Sequence, residues 1–440
     1  MSRANELPTG TKNSTRQQDS YRQVEDEEAE PLRSTIARIG ANAAKILAIM
    51  GAAAALVTGM SASAVAQPLY PAPDPDPFYA APPDLPALQP GDVIAVRPMP
   101  PLLAFPSSTV TMVKFRSTNS TGEPIAATTT VLTPNNHAPD GPLLSYQHII
   151  NGLGTQCAVS RVLYSGDPNL QVREAPALNA LLLRGWSVAL PDHLGPTSAY
   201  GAAKLGGQIT LDGLRAVRRV GELALGNSRM ALLGYSGGGM ATSWAAALAP
   251  GYAPELPIVG AAEGGVPMNL VKMVEGLGYS RHPVFGLAMA AAIGLEREYP
   301  NQLPISEHLN GLGIKLRDQI ANGCTNEILV RGAGHSVMDV ANETSLAQDP
   351  RARAVLEENS LELFDGVPRV PIYEWRSRDD ALIPTDAIDN TVRRYCTAGT
   401  PVQADQYPSP DHLTTAVLGT PIAVAWIDAR FRGEPAPSNC

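Results

Sequence analysis

Charge is scarce in this chain: only 17% of its 440 residues are Asp, Glu, Lys or Arg, and 33 basic residues face 42 acidic ones. The formal charge of −9 is spread thinly and no basic tract interrupts it, so nucleic acid and anionic lipid are excluded as electrostatically held partners. Cysteine is sparse too. Cys157, Cys324, Cys396 and Cys440 have spacings that match no metal-site pattern, and a chain this long with four cysteines is not a small disulfide scaffold. No repeat period accompanies the 39 glycines and 40 prolines, which excludes solenoid and collagen-like architectures and leaves those residues as turn punctuation. What is plentiful is apolar surface, at 44% of residues, enough for one large domain or two ordinary ones.

The first 66 residues read as an export segment. Residues 1–32 are polar, with the acidic cluster Glu25, Asp26, Glu27, Glu28 and Glu30, and bury too little apolar surface to fold. Arg33, Arg38 and Lys45 then precede an uncharged apolar run from Ile46 to about Val57 and small residues through Ala64-Val65-Ala66, the layout of a secretory signal with cleavage near Ala66. A retained membrane anchor is the competing reading, since 46–66 carries no charge, but Ala, Ser and Gly in its second half favour cleavage. In an exported chain an even number of cysteines reads as two disulfides, with three pairings open.

Residues 67–90, rich in Pro with Asp and Ala, predict a linker or a strap over the surface. Short β-type runs follow at Val93 to Val96, Val110 to Phe115, Ile125 to Leu132 and Pro142 to Tyr146, an antiparallel start to a sheet. A helix over Ala175 to Leu183 then feeds a strand at Trp186 to Leu190. A second, with Leu211, Leu214, Val217, Val220 and Leu223 on one face, feeds Met230 to Leu233. Such alternation requires crossovers, hence an α/β fold with a mostly parallel sheet, continued by strands at Ile258 to Ala262, Val370 to Trp375 and Val402 to Tyr407. Residues 265–350 break the alternation with helical patterns at Leu270 to Leu277, Val284 to Leu295 and Ser306 to Leu316. They read as a helical cap inserted into a core formed by 91–264 and 351–440.

Chemistry concentrates at Gly234-Tyr235-Ser236-Gly237-Gly238, a G-x-S-x-G pattern between a buried strand and a small-residue helix. That context is a nucleophile elbow, which raises Ser236 at the carboxyl end of the sheet. A serine hydroxyl attacks only when an imidazole takes its proton and a carboxylate orients that imidazole. His282, His308, His335 and His412 follow Ser236, and the first three fall in the cap, so position selects His412. The acid belongs in the loop after the Val370 to Trp375 strand, where Asp380, in a D-x-x-I-P turn, is favoured over Asp379; Asp411, adjacent to His412, reads as a turn residue.

Pro90-Gly91-Asp92-Val93-Ile94, Ser145-Tyr146-Gln147, Pro191-Asp192-His193-Leu194-Gly195-Pro196, Gly234-Tyr235-Ser236-Gly237-Gly238 and Asp380-Ala381-Leu382-Ile383-Pro384, in this order, resemble the secretory lipase family, the lipase-A-like α/β hydrolases, over about residues 85–432. The resemblance implies an α/β-hydrolase fold and an exported serine hydrolase of carboxylic esters, typically acylglycerols, with a helical lid. It carries the triad onto Ser236, Asp380 and His412, and the oxyanion hole onto the N–H of Gly237 and a residue after Ser145-Tyr146-Gln147. Relatives often have aspartate at the latter place, where this chain has Asn151, whose amide donates without first being protonated. His148 and His193 are expected beside the site in supporting roles. The resemblance also suggests a Cys157 to Cys324 bond tethering the cap beside the oxyanion loop. Cys396, at a helix end, is then expected to hold Cys440 and the tail, which would otherwise fray.

The function expected is therefore ester hydrolysis through an acyl-enzyme, with triacylglycerol the leading substrate, no metal or organic cofactor, and transient contact with a lipid interface. A short-chain carboxylesterase is the nearest rival. A catalytically silent lipid-binding or surface protein is the rival of a different class, and a peptidase a weaker one. If apolar cap residues line an acyl channel, bulk at Gly286 or Gly294 is expected to shorten the preferred chain.

Overall fold

The computed structural model describes residues 69–440 apart from 150, 344–348 and 410, so the export reading of residues 1–66 lies outside the described residues. Strands β1 (Val93–Met99), β2 (Ser108–Thr118) and β3 (Pro124–Pro134) form an antiparallel meander, rich in the Val, Thr and Ile side chains that suit a pleated surface. Strands β4 (Leu143–Gln147), β5 (Ser187–Pro191), β6 (Met230–Tyr235), β7 (Ile258–Gly264), β8 (Ile372–Ser377) and β9 (Val402–Tyr407) complete a nine-stranded sheet in the order β1-β2-β3-β5-β4-β6-β7-β8-β9. β3 meets β5 antiparallel, and every pair from β5 to β9 is parallel. β4, β5, β6 and β8 are buried throughout. Burial on both faces is why three of them read as continuous apolar runs rather than alternating ones.

Helices α1 (Ala175–Leu183), α2 (Ala203–Arg219) and α3 (Gly237–Tyr252) make the first crossovers. The stretch between β7 and β8 holds α4 (Leu270–Leu277), α5 (Phe285–Glu298), α6 (Gly311–Ile320), α7 (Thr325–Gly332) and α8 (Pro350–Glu358), with no strand of the sheet among the described residues. After β8, α9 (Thr385–Thr397) leads to β9, and α10 (His412–Phe431) follows β9. One core layer packs α2, α3 and α9 against one sheet face, and the other packs α1 and α10 against the opposite face.

Two helices depart from their periodicity. α2 starts at Ala203, well before Leu211, because Gly206 and Gly207 serve close packing rather than helix breaking: a Cβ on Gly207 would lie 2.9 Å from the Trp244 backbone of α3. It ends at Arg219, so Val220 and Leu223 continue its apolar face from a turn that closes on Ala224 at φ 51°. The run Ser306 to Leu316 is not one helix. Asn310 stops it, accepting from the N–H of Leu312 (2.9 Å) and Gly313 (3.0 Å), and α6 begins there.

The cap's apolar residues are largely consumed internally: Phe285, Met289, Ile293, Leu316, Ile320 and Ile328 form a core of their own. Gly286 and Gly294 sit at helix contacts rather than along a channel, since a Cβ at either would overlap backbone, that of Ile328 and Tyr200 respectively. The Pro-rich segment before β1 is bound to the surface, where Asp76 caps the turn Pro77–Tyr79, pairs with Arg97 at 2.6 Å, and leaves Phe78 buried beneath that guanidinium.

Candidate active site

Ser236 occupies the junction of β6 and α3 with φ 56° and ψ −124°, a backbone conformation that L-residues rarely adopt and that the surroundings must enforce. The glycines around it explain how. A Cβ on Gly234 would overlap the carbonyl of Gly238, and one on Gly238 would overlap the carbonyl of Gln147 at the end of β4. Gln147 is itself fixed, accepting from Thr242 Oγ1 at 2.7 Å and donating to Ser145 Oγ at 2.6 Å. Met240 N–H closes the first helical bond onto the Ser236 carbonyl (2.8 Å), so the amides of Gly237, Gly238 and Gly239 fall in the unsatisfied first turn of α3. A developing anion beside Ser236 would meet them there.

His412 is the first residue of α10, presented by Asp411, whose carboxylate accepts from Thr414 N (2.8 Å) and Thr414 Oγ1 (2.7 Å). Asp411 is thus a helix cap. His412 Nδ1 lies 2.7 Å from Asp380 Oδ2, while Asp380 Oδ1 accepts from the backbone N–H of Leu382 (2.9 Å) and Ile383 (3.1 Å). Burial alone would raise the Asp380 pKa, but the hydrogen bond and charge of His412, with the two backbone donors, hold it below the ordinary carboxylate value. Asp380 is therefore the acid that reaches the imidazole, and Asp379 is exposed. His412 Nε2 is buried and has no hydrogen-bond partner among the described residues.

The elbow and the histidine are joined through residues that the sequence pattern does not single out. Ser236 N–H donates to the Gly264 carbonyl (2.8 Å), and the next residue, Gly265, lies so close to the imidazole that a Cβ would stand 2.8 Å from His412 Cε1. Tyr235, beside the serine, donates from its hydroxyl to the His412 carbonyl (2.6 Å), with its ring 4.9 Å from the imidazole centroid.

The loop after β4 supplies Asn151. Its carbonyl accepts from Thr325 N (2.6 Å) and Thr325 Oγ1 (2.7 Å), and its side-chain Nδ2 is buried without a partner among the described residues. The Cys157–Cys324 disulfide and the Leu153 N–H to Gly323 carbonyl bond (2.9 Å) hold this loop against the start of α7. The second disulfide, Cys396–Cys440, secures the chain end, where Asn439 makes a backbone bond to Val402 (3.0 Å) along the free edge of β9. His148 and His193 line one small cavity with Asn151, so the structure brings all three together. Burial, then the proximity of His148, pushes the His193 pKa down to about 4.

Comparison with known proteins gives the family and the fold. The profile of a family described as "Secretory lipase" matches residues 170–439. "Lipase A" of Arthroderma benhamiae is 32% identical over 84% of this chain and 81% of its own. A Mycobacterium tuberculosis protein named "Probable inactive lipase MT1628" is 32% identical over 82% of this chain and 83% of its own. The X-ray structure of Candida antarctica lipase A superposes with a TM-score of 0.78 at 28% identity, over 83% of this chain and 87% of that one.

Proposed function

From the premise that the chain belongs to the secretory lipase family, and is an ester hydrolase of α/β-hydrolase fold, we propose that Ser236 is its nucleophile, His412 its base, Asp380 its acid and acylglycerol its substrate. The observation that carries the reading is the imidazole held at Nδ1 by Asp380 and packed on Tyr235 of the elbow, with Nε2 lacking a partner among the described residues. Asp380 fixes the tautomer with the proton on Nδ1, so Nε2 accepts the proton of Ser236 Oγ as that oxygen bonds to the ester carbonyl carbon. The N–H of Gly237 and Nδ2 of Asn151 hold the oxyanion. His412 then gives its proton to the departing alcohol, takes one from the water that attacks the acyl-enzyme, and returns it to Ser236.

Labelling with a fluorophosphonate tests the assignment, because only a base-activated serine attacks that phosphorus quickly. We expect one label, on Ser236, and loss of both label and turnover in Ser236→Ala. An Ala variant that still labels and hydrolyses would refute it, and a wild-type protein that never labels would favour the silent, lipid-binding alternative.

One observation favours a lipase over a short-chain carboxylesterase. α10 exposes Leu413, Val417, Leu418 and Ile422 to solvent, and no charged residue occurs from His412 to Ile427. This apolar face begins one residue beyond the imidazole, where a protein working at a lipid surface needs it. Export accords with the secretory family and the two disulfides. Cleavage near Ala66 is our proposal for how the mature chain begins, and amino-terminal sequencing of secreted protein checks it.

A further inference from the structure

The loop after β4, the turn Thr155–Cys157 and the Asp192-His193-Leu194-Gly195 loop after β5 enclose a cavity of about 30 Å³. That is room for about two water molecules. Its lining residues include His148, Asn151, Asp192 and His193. His148 Nε2, Asn151 Nδ2 and both ring nitrogens of His193 are buried there and lack partners among the described residues, although a buried polar atom left unpaired costs about 1–3 kcal/mol. His148 is already committed on its other side, where Nδ1 contacts the buried carboxylate of Glu174, the residue preceding α1. An ionised carboxylate only accepts, so Nδ1 carries a proton; Arg173 already pairs with that carboxylate at 3.1 Å, and in the neutral imidazole Nε2 is a lone-pair acceptor. Asn151 Nδ2 is a donor with two hydrogens, of which the oxyanion uses one.

We propose that Glu174 and His148 are a positioning pair for Asn151, with His148 Nε2 accepting from Asn151 Nδ2 through water held in this cavity. The inference rests on the assignment of Asn151 to the oxyanion hole. The arrangement answers a problem specific to an amide in that role, since its oxygen and nitrogen are nearly equal in size and a flipped side chain would present an acceptor to the oxyanion. An acceptor fixed on the cavity side keeps the NH₂ end in place. Neither His148 nor Glu174 touches substrate, and the effect runs wholly through the orientation of one side chain. Of the other polar groups lining the cavity, Asp192 accepts from Ser160 N (2.9 Å) and Ser160 Oγ (2.6 Å).

A double-mutant cycle in the intact protein tests this. Asn151→Ala should lower kcat about 100-fold, the scale for one oxyanion donor. His148→Phe, which keeps the ring volume but loses the acceptor, should lower kcat about tenfold with KM within about twofold, while His148→Gln, which keeps an acceptor, should recover most of the rate. The double variant His148→Phe/Asn151→Ala should be no slower than Asn151→Ala, because there is no amide left to orient. If His148→Phe does not fold, as a melting curve would reveal, the smaller His148→Leu, which also lacks an acceptor, takes its place in the cycle. A wild-type kcat in His148→Phe, or losses that multiply in the double variant, would overturn the pair while leaving Asn151 in its role. A wild-type kcat in Asn151→Ala would instead remove Asn151 from the oxyanion hole, and the pair with it.

Discussion

At the scale of single residues the acid is the most instructive position, because both oxygens of Asp380 are in use. Oδ1 takes two backbone N–H donors and Oδ2 faces His412 Nδ1. An asparagine there must turn its one oxygen toward the backbone donors, which leaves its NH₂ against Nδ1 and forces the imidazole proton onto Nε2. That tautomer cannot accept from Ser236. Asp380→Asn should therefore lower kcat by about 10³–10⁴ with little change in melting temperature, on the scale known for a serine protease, while Asp379→Asn stays within about twofold. Steady-state kinetics on both variants checks this, and the reverse ranking would transfer the role to Asp379. The turn that carries Ser236 and the contact of Asp380 with His412 were legible because each is announced locally: a glycine pattern after an apolar strand, a turn ending in proline, a histidine beyond the cap. Tyr235 and Gly265 were not, since nothing local says that the loop after β7 approaches the imidazole. The surroundings of Asn151 were hidden for the same reason, being assembled from residues 148, 174, 192, 193 and 325.

At the scale of elements, β7 and β8 carry a liability that their strand patterns concealed. Glu263 and Glu374 are register partners on these adjacent parallel strands, and both are buried. Burial pushes the Glu374 pKa up to about 8 against the opposing pull of Arg376, and burial followed by the charge of Glu374 raises Glu263 well above its ordinary value. Arg376 also contacts Asp389 of α9, Asp405 of β9 adds negative charge, and the Tyr395 hydroxyl of α9 is buried without a partner among the described residues. Groups with raised pKa stabilise the fold fully below their unfolded value, near 4.5, and that contribution is lost as pH rises toward the folded value, here about 8 for Glu374. Asp380, with its lowered pKa, acts in the opposite direction and costs stability only in acid. Glu263→Gln, which mimics the neutral acid, should melt near wild type at pH 5 and several degrees higher at pH 9. Equal melting shifts at both pH values would mean that Glu263 is not held neutral. Strand positions were legible from apolar runs that tolerate such interruptions. Helix limits at α2 and α6 were not, because a glycine that allows close packing and an asparagine that caps a new helix look the same in sequence as breakers or bystanders.

For the whole molecule, the question is which surface would meet a lipid phase, and the exposed apolar face of the carboxyl-terminal helix is the one we propose. The cap's aliphatic residues read in sequence as surplus apolar surface; many are buried against one another or against the sheet's core, while Leu312, Val330 and Met338 stay exposed. One face of α10 packs on the sheet through Ala423, Val424, Trp426 and Ile427. Its other face remains in water, with Val417 65%, Leu418 52% and Ile422 46% exposed. Periodicity could not separate these faces, because a helix apolar all round gives no contrast between them. Each such side chain transferred fully from water to an apolar phase is worth about 1.5–3 kcal/mol, so replacing two by charge should weaken adsorption far more than tenfold in binding. The double variant Val417→Asp/Ile422→Asp should keep its kcat/KM on a dissolved short-chain ester within about twofold, since both side chains are exposed, and should lose at least about tenfold in rate on an emulsified long-chain acylglycerol. Equal rates on the emulsion would remove α10 as the docking face. A steep fall beyond butyryl esters in the wild-type protein, with no gain at an emulsion surface, would remove the lipase reading itself and leave a short-chain carboxylesterase built on the same residues.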